Sequence, residues 1–83
     1  MKLFVGKLPY ELTEESLKEI FEKIGAVASA KIIMDRYTGR SRGFGFVEMS
    51  SQDDAKSAMD QLDGSEVMGR AIVVKEANDN ARN

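Results

Sequence analysis

The 83-residue chain has no cysteine, histidine or tryptophan and one proline, which excludes a disulfide framework, a zinc site of the usual ligands and cysteine or histidine catalysis. One small domain fits this length, and its core has to be compact because a chain this short buries only roughly 60% of its unfolded surface. Twelve Lys and Arg against fourteen Asp and Glu leave a formal charge of −2, a total that argues against binding nucleic acid through bulk charge.

In chain order, Lys2 to Gly6 reads as a short alternating strand, closed by Gly6 and Pro9. Thr13 is a helix N-cap with Glu14 and Glu15 in the first turn, where the helix dipole favours anions. Leu12 and Leu17 stand in the relation of a hydrophobic staple. Leu17, Ile20, Phe21 and Ile24 form an apolar stripe at spacings of three and four, and Gly25 is expected to end the helix in a left-handed cap. Val27 to Met34 is rich in β-formers, and Asp35 to Ser41 is a polar turn containing Gly39. Gly43 to Met49 makes a third strand. Ser51 caps a second helix carrying Ala55, Ala58, Met59 and Leu62 on one face, and Gly64 stops it. Beyond a short loop through Gly69, Ala71 to Lys75 makes the last strand. Residues 78–83 read as a polar, frayed tail to a domain spanning 1–77.

The order β-α-β-β-α-β predicts an α+β, ferredoxin-like sandwich: a four-stranded antiparallel sheet with both helices on one face. Side-chain parity then sorts the strands. One set, Leu3, Val5, Ala30, Ile32, Met34, Gly43, Gly45, Val47, Met49, Ile72 and Val74, is aliphatic or small and belongs under the helices, its glycines letting a helix come close. The opposite set is Lys2, Phe4, Lys31, Ile33, Arg42, Phe44, Phe46, Glu48, Ala71, Val73 and Lys75. It puts three of the six aromatics with four bases on a face that nothing in the chain covers. Every base of a single-stranded nucleic acid offers a π-face to such rings, and its phosphates follow. The acids, meanwhile, gather in residues 10–25 and 50–66, on the helical back.

Leu3-Phe4-Val5-Gly6-Lys7-Leu8 resembles the hexamer motif, and Arg42-Gly43-Phe44-Gly45-Phe46-Val47-Glu48-Met49 the octamer motif, of the RNA recognition motif family. The stretch from Asp35 to Met49 looks most like small bacterial members and the domain of plant glycine-rich RNA-binding proteins. The resemblance implies that Phe4 and Phe46 stack on neighbouring bases, that Phe44 lies against the sugars and that Arg42 pairs with a phosphate. Lys7 stands where the hexamer often has Asn, and Met49 where the octamer usually ends in an aromatic.

Lys2, Lys31, Lys75 and Arg40 complete the expected RNA-binding set, although a lone exposed lysine is as often simply solvated. Tyr37, Arg36 and Arg40, on the turn, either clamp the nucleic acid or keep the turn soluble. Tyr10 reads as a packing residue at the strand–helix junction. A core role for Phe44 and Phe46 would contradict the parity of the other strands. A protein-docking face would have little use for four bases around the rings. No Ser has an activating His, no acid pair marks a cleft and Gly43-Phe44-Gly45-Phe46 is not a phosphate loop, so no enzyme is expected, and no metal or cofactor. The expectation is a cytoplasmic, monomeric domain, without a membrane segment, that binds short single-stranded RNA, with single-stranded DNA left open.

Overall fold

Alternation builds the centre of the sheet. In Lys2-Leu3-Phe4-Val5-Gly6, Leu3 and Val5 are fully buried while Lys2 and Phe4 lie half-buried on the other side, as a period of two requires. The computed structural model describes residues 2–39 and 41–77, with the backbone alone at Ser41 and Arg42. The order of elements is β1 (Lys2–Gly6), α1 (Glu14–Glu22), β2 (Val27–Met34), β3 (Ser41–Met49), α2 (Gln52–Leu62), β4 (Glu66–Val67), β5 (Arg70–Ala71) and β6 (Val73–Glu76). The main sheet is antiparallel in the order β2-β3-β1-β6, with α1 over β2 and α2 across β6, β3 and β1.

Both helices start where the caps predict. The Thr13 side chain accepts the Ser16 N–H at 3.1 Å, and the Ser51 side chain accepts the Asp54 N–H at 3.4 Å. Leu17 and Phe21 of α1 and Ala55 and Ala58 of α2 are fully buried. They meet Leu3, Val5, Ile32, Val47, Met49, Ile72 and Val74 from the sheet side, with Leu8 and Leu12 closing one end. Burial of a side chain such as Phe21 or Leu17 contributes about 1.5–3 kcal/mol.

Four local expectations change. The last strand is Val73–Glu76, while Ala71 belongs to a separate two-stranded hairpin, β4–β5, whose loop residues Met68 and Gly69 both have positive φ (51° and 87°). Two left-handed residues in succession are what a tight hairpin turn with strand-matching twist demands. Gly25 is not left-handed; α1 already ends at Glu22, and a Cβ at position 25 would run into the Asp54 side chain of α2. Met34 follows a register shift after Ile32 and is 56% exposed rather than in the core. Finally, the glycines of β3 do not admit a helix: a Cβ on Gly45 would strike the backbone of Lys31 and Ile32 in β2, and Gly43 (φ 86°) faces Tyr10 and Leu8. Lys7 takes φ 56°, a left-handed position that Asn occupies far more readily than Lys.

Each outer strand of the sheet is closed by a carboxylate. The outward N–H of Ile32 in β2 donates to Glu14 Oε2 at 2.9 Å, and that of Val74 in β6 donates to Asp63 Oδ1 at 2.9 Å. These bonds occupy N–H groups that an edge would otherwise offer to another strand, and they tie the start of α1 and the end of α2 to opposite edges. Asp63→Ala leaves the part-buried Val74 N–H without its acceptor and should lower stability by about 1–3 kcal/mol. Asp63→Asn, which keeps an oxygen there, should recover most of the loss in urea titrations.

Candidate nucleic-acid interface

The register of the four strands gathers the outward-facing set. Phe4 pairs with Phe46 across β1 and β3, Lys31 pairs with Phe46 across β2 and β3, and Phe4 pairs with Lys75 across β1 and β6. Lys31, Phe46, Phe4 and Lys75 therefore form one row across the whole sheet, two rings in the middle and an exposed lysine at each end. At about 4.8 Å between strands, the row spans roughly 14 Å from first to last Cα. In the next row, Phe44 stands opposite Gly6, and Gly6 opposite Val73.

The three phenylalanines touch. Phe4 and Phe44 have ring centroids 5.8 Å apart at 33°, and Phe4 and Phe46 are 5.9 Å apart at 66°, edge to face. Such pairs contribute about 0.5–1.5 kcal/mol beyond the area they bury, so the rings are held in place before any ligand arrives. Each is half-buried. Lys2 reaches over the Phe46 ring with Nζ 5.3 Å from its centroid, an attraction between the cation and the ring quadrupole.

Phe4, Phe44, Phe46, Lys2, Lys31 and Lys75 thus all come to one face, as parity anticipated. Arg42 lies on β3 two residues before Phe44, but its side chain lies outside the described residues, as do Arg40 and the 78–83 tail. Just after β2 the chain makes an Asx turn, with Asp35 Oδ1 accepting the N–H groups of Tyr37 at 2.7 Å and Thr38 at 3.3 Å. It presents a Tyr37 side chain that is 92% exposed.

Two residues were missed from sequence. Tyr10 is not a packing residue: it is 62% exposed, with the Arg70 guanidinium 5.7 Å from the centre of its ring. Its neighbours Leu8, Pro9 and Leu12 are buried instead. The proline-led turn that turns Tyr10 outward was the available signal. Gly6 is the second. A Cβ there would lie 2.9 Å from Phe4 Cε2 and 3.2 Å from Cζ, so the missing side chain is what lets the Phe4 ring lie down along β1.

Charge is segregated along the chain. Residues 10–25 and 50–66, which include both helices, carry ten acids and three bases, whereas the rest of the chain carries nine bases and four acids. A field of this form repels a polyanion from the helical side and leaves the sheet side open to it.

The model of the RNA recognition motif family matches residues 3–73. The chain is 50% identical over 78 residues to glycine-rich RNA-binding protein 3, mitochondrial, of Arabidopsis thaliana, a match covering 94% of this chain and 25% of that protein. It is 48% identical over 77 residues to the putative RNA-binding protein RbpB of Nostoc sp., covering 93% of this chain and 75% of that one. The chain thus spans a quarter of the plant relative and three quarters of the cyanobacterial one. Among solved structures, a Sex-lethal protein–RNA complex superimposes with a TM-score of 0.88 at 32% identity, over 93% of this chain and 46% of that chain.

Gly6→Ala should push the Phe4 ring off its bed while leaving the fold intact, because the clashing atoms are the far end of a side chain. Ring-to-ring NOEs from Phe4 to Phe44 and Phe46 should weaken, with the core methyl spectrum of Leu3, Val5 and Val47 largely preserved.

Proposed function

Since the chain belongs to the RNA recognition motif family, a family of non-catalytic RNA-binding domains, we propose that it takes a short single-stranded RNA across the Lys31–Phe46–Phe4–Lys75 row. That row is the observation that carries the reading. Two rings in contact at the centre of the sheet offer stacking surfaces for two neighbouring bases, and a lysine at either end meets the backbone on its way in and out.

The geometry bears on strandedness. Bases lying flat on Phe4 and Phe46 inherit the 66° between those rings, so they cannot remain stacked on each other. The ligand has to be splayed, which a single strand tolerates and a duplex does not. In this reading Phe44 lies against the sugars, and Arg42, Lys31 and Lys75 neutralise phosphates. Lys2, which lies over Phe46 in the free domain, moves aside for the base and keeps its positive charge beside the ring. Stacking accepts any base, so the surface supports affinity more than sequence choice, and it accepts single-stranded DNA as well unless a contact to the 2′-OH intervenes. In this reading the domain acts as a monomer.

Phe46→Ala should weaken binding to an eight-nucleotide RNA by about 1–3 kcal/mol without lowering the melting temperature by more than a few degrees; unchanged affinity would overturn the stacking model. Three neutralised phosphates on a single strand give a slope near −2 for log K against log salt. A slope near zero in anisotropy titrations would instead mark the rings as a docking face for an uncharged partner. Competition between RNA and DNA of one sequence separates the two nucleic acids.

A further inference from the structure

We infer that Glu48 gives this surface a choice of base: its carboxylate accepts the adjacent N1–H and N2–H donors of a guanine lying on Phe46. Resting on the sheet face as the RNA-binding surface, this contact adds selection where stacking alone accepts any base.

The position of Glu48 follows from the register. The pairing of β1 with β3 runs without a break from Lys2 opposite Glu48 to Gly6 opposite Phe44. Val47 is fully buried on the core side, so Phe44, Phe46 and Glu48 succeed one another on the open side. Each step of two residues covers about 6.8 Å. The open face thus carries three parallel rows: Phe44 with Gly6, then Lys31-Phe46-Phe4-Lys75, then Ser29-Glu48-Lys2. Glu48 is exposed, and among the described residues no hydrogen bond or ion pair engages its carboxylate.

Charge fixes which part of the strand that carboxylate meets. It repels phosphates, and when ionised it can only accept hydrogen bonds. What it can take from a bound RNA is a base edge carrying N–H donors. A base whose sugar lies against Phe44 covers Phe46 and points its far edge at the Glu48 row. Lys2 stands directly opposite Glu48, with Cβ atoms about 5 Å apart in such a pair, and its ammonium offsets the carboxylate's charge toward the backbone of the RNA.

The four bases differ at that edge. An unpaired guanine offers two donors side by side, N1–H and N2–H, which match the two oxygens of one carboxylate. Cytosine and adenine offer one amino donor beside a ring-nitrogen acceptor, and uracil offers one N–H between two carbonyls. In those three the carboxylate meets acceptor lone pairs as well as a donor. Guanine alone makes the contact bidentate, and bidentate charge-assisted pairs are the strong ones.

The test uses the whole 83-residue chain with fluorescein-labelled r(GU)4, r(IU)4, r(CU)4 and rU8, where I is inosine, which lacks only the 2-amino group of guanosine. Alternation lets the variable base reach Phe46 in any register of the strand. By anisotropy, the wild type should bind r(GU)4 at least about five-fold more tightly than each of the other three. Glu48→Gln, which keeps the shape, and Glu48→Ala should each raise Kd for r(GU)4 about five-fold or more, yet lower it for rU8, because a negative charge leaves the path of the phosphates. A carboxylate that only repelled RNA would shift all four in one direction. Melting temperatures should move by no more than a few degrees, since Glu48 is exposed. If the wild type binds r(GU)4 and r(IU)4 alike, or the Glu48 variants tighten all four RNAs together, the guanine contact is wrong; Phe46→Ala weakened toward all four then leaves the sheet-face reading standing. If Phe46→Ala binds as the wild type does, or the wild type binds none of the four, the sheet-face reading itself falls and takes the guanine contact with it.

Discussion

Everything in this domain depends on the pairing of β1 with β3. With Leu3 opposite Val47 and Phe4 opposite Phe46, one alternation supplies both faces of the sheet: the aliphatic residues pack under the helices and the aromatic ones stay on the open side. A slip of one residue would exchange the two sets, burying the rings and exposing Leu3 and Val5. The cost of exposing two fully buried aliphatic side chains, about 1.5–3 kcal/mol each, protects that register. The proposed binding surface is thus specified by the same interaction that holds the core, and core stability and surface geometry cannot be varied independently in these two strands.

Glycines and left-handed residues shape the margins of this arrangement. Gly45 lets the backbone of β2 press against β3, Gly6 gives the Phe4 ring a place to lie, and Gly43 sits against Tyr10 and the Leu8 carbonyl. None of the three serves helix packing. The glycine-rich rhythm of the central strand is a consequence of strands and rings approaching one another closely on and beside the sheet. The carboxylates of Glu14 and Asp63 perform a related service at the outer strands, where each takes up an N–H that has no neighbouring strand.

The distribution of charge gives the domain a direction. An overall −2 conceals an acid-rich helical side and a sheet side on which Lys2, Lys31 and Lys75 outnumber Glu48. Long-range attraction is accordingly modest, and most of the affinity has to come from contact. Rings already in contact with one another suit that regime because little order remains to be imposed on binding.

Most of the fold, and which residues share its open face, were legible in the chain. Period-two alternation named Phe4, Phe44 and Phe46 as partners on one face, caps at Thr13 and Ser51 located both helices, and the hexamer and octamer motifs pointed to RNA. These are local properties, readable because alternation and capping act over a few residues. What the chain alone left undecided was long-range. Tyr10 and Arg70 are sixty residues apart, and only the hairpin turn at Met68-Gly69 and the Leu8–Gly43 hydrogen bond bring their side chains to 5.7 Å. The same holds for Gly25 against Asp54, for Glu14 at the edge of β2 and for the backbone contact at Gly45. In each, the deciding neighbour belongs to another element, and no local pattern encodes where a second element will lie. The sequence by itself determined which residues face outward; the tertiary structure decided which of them meet.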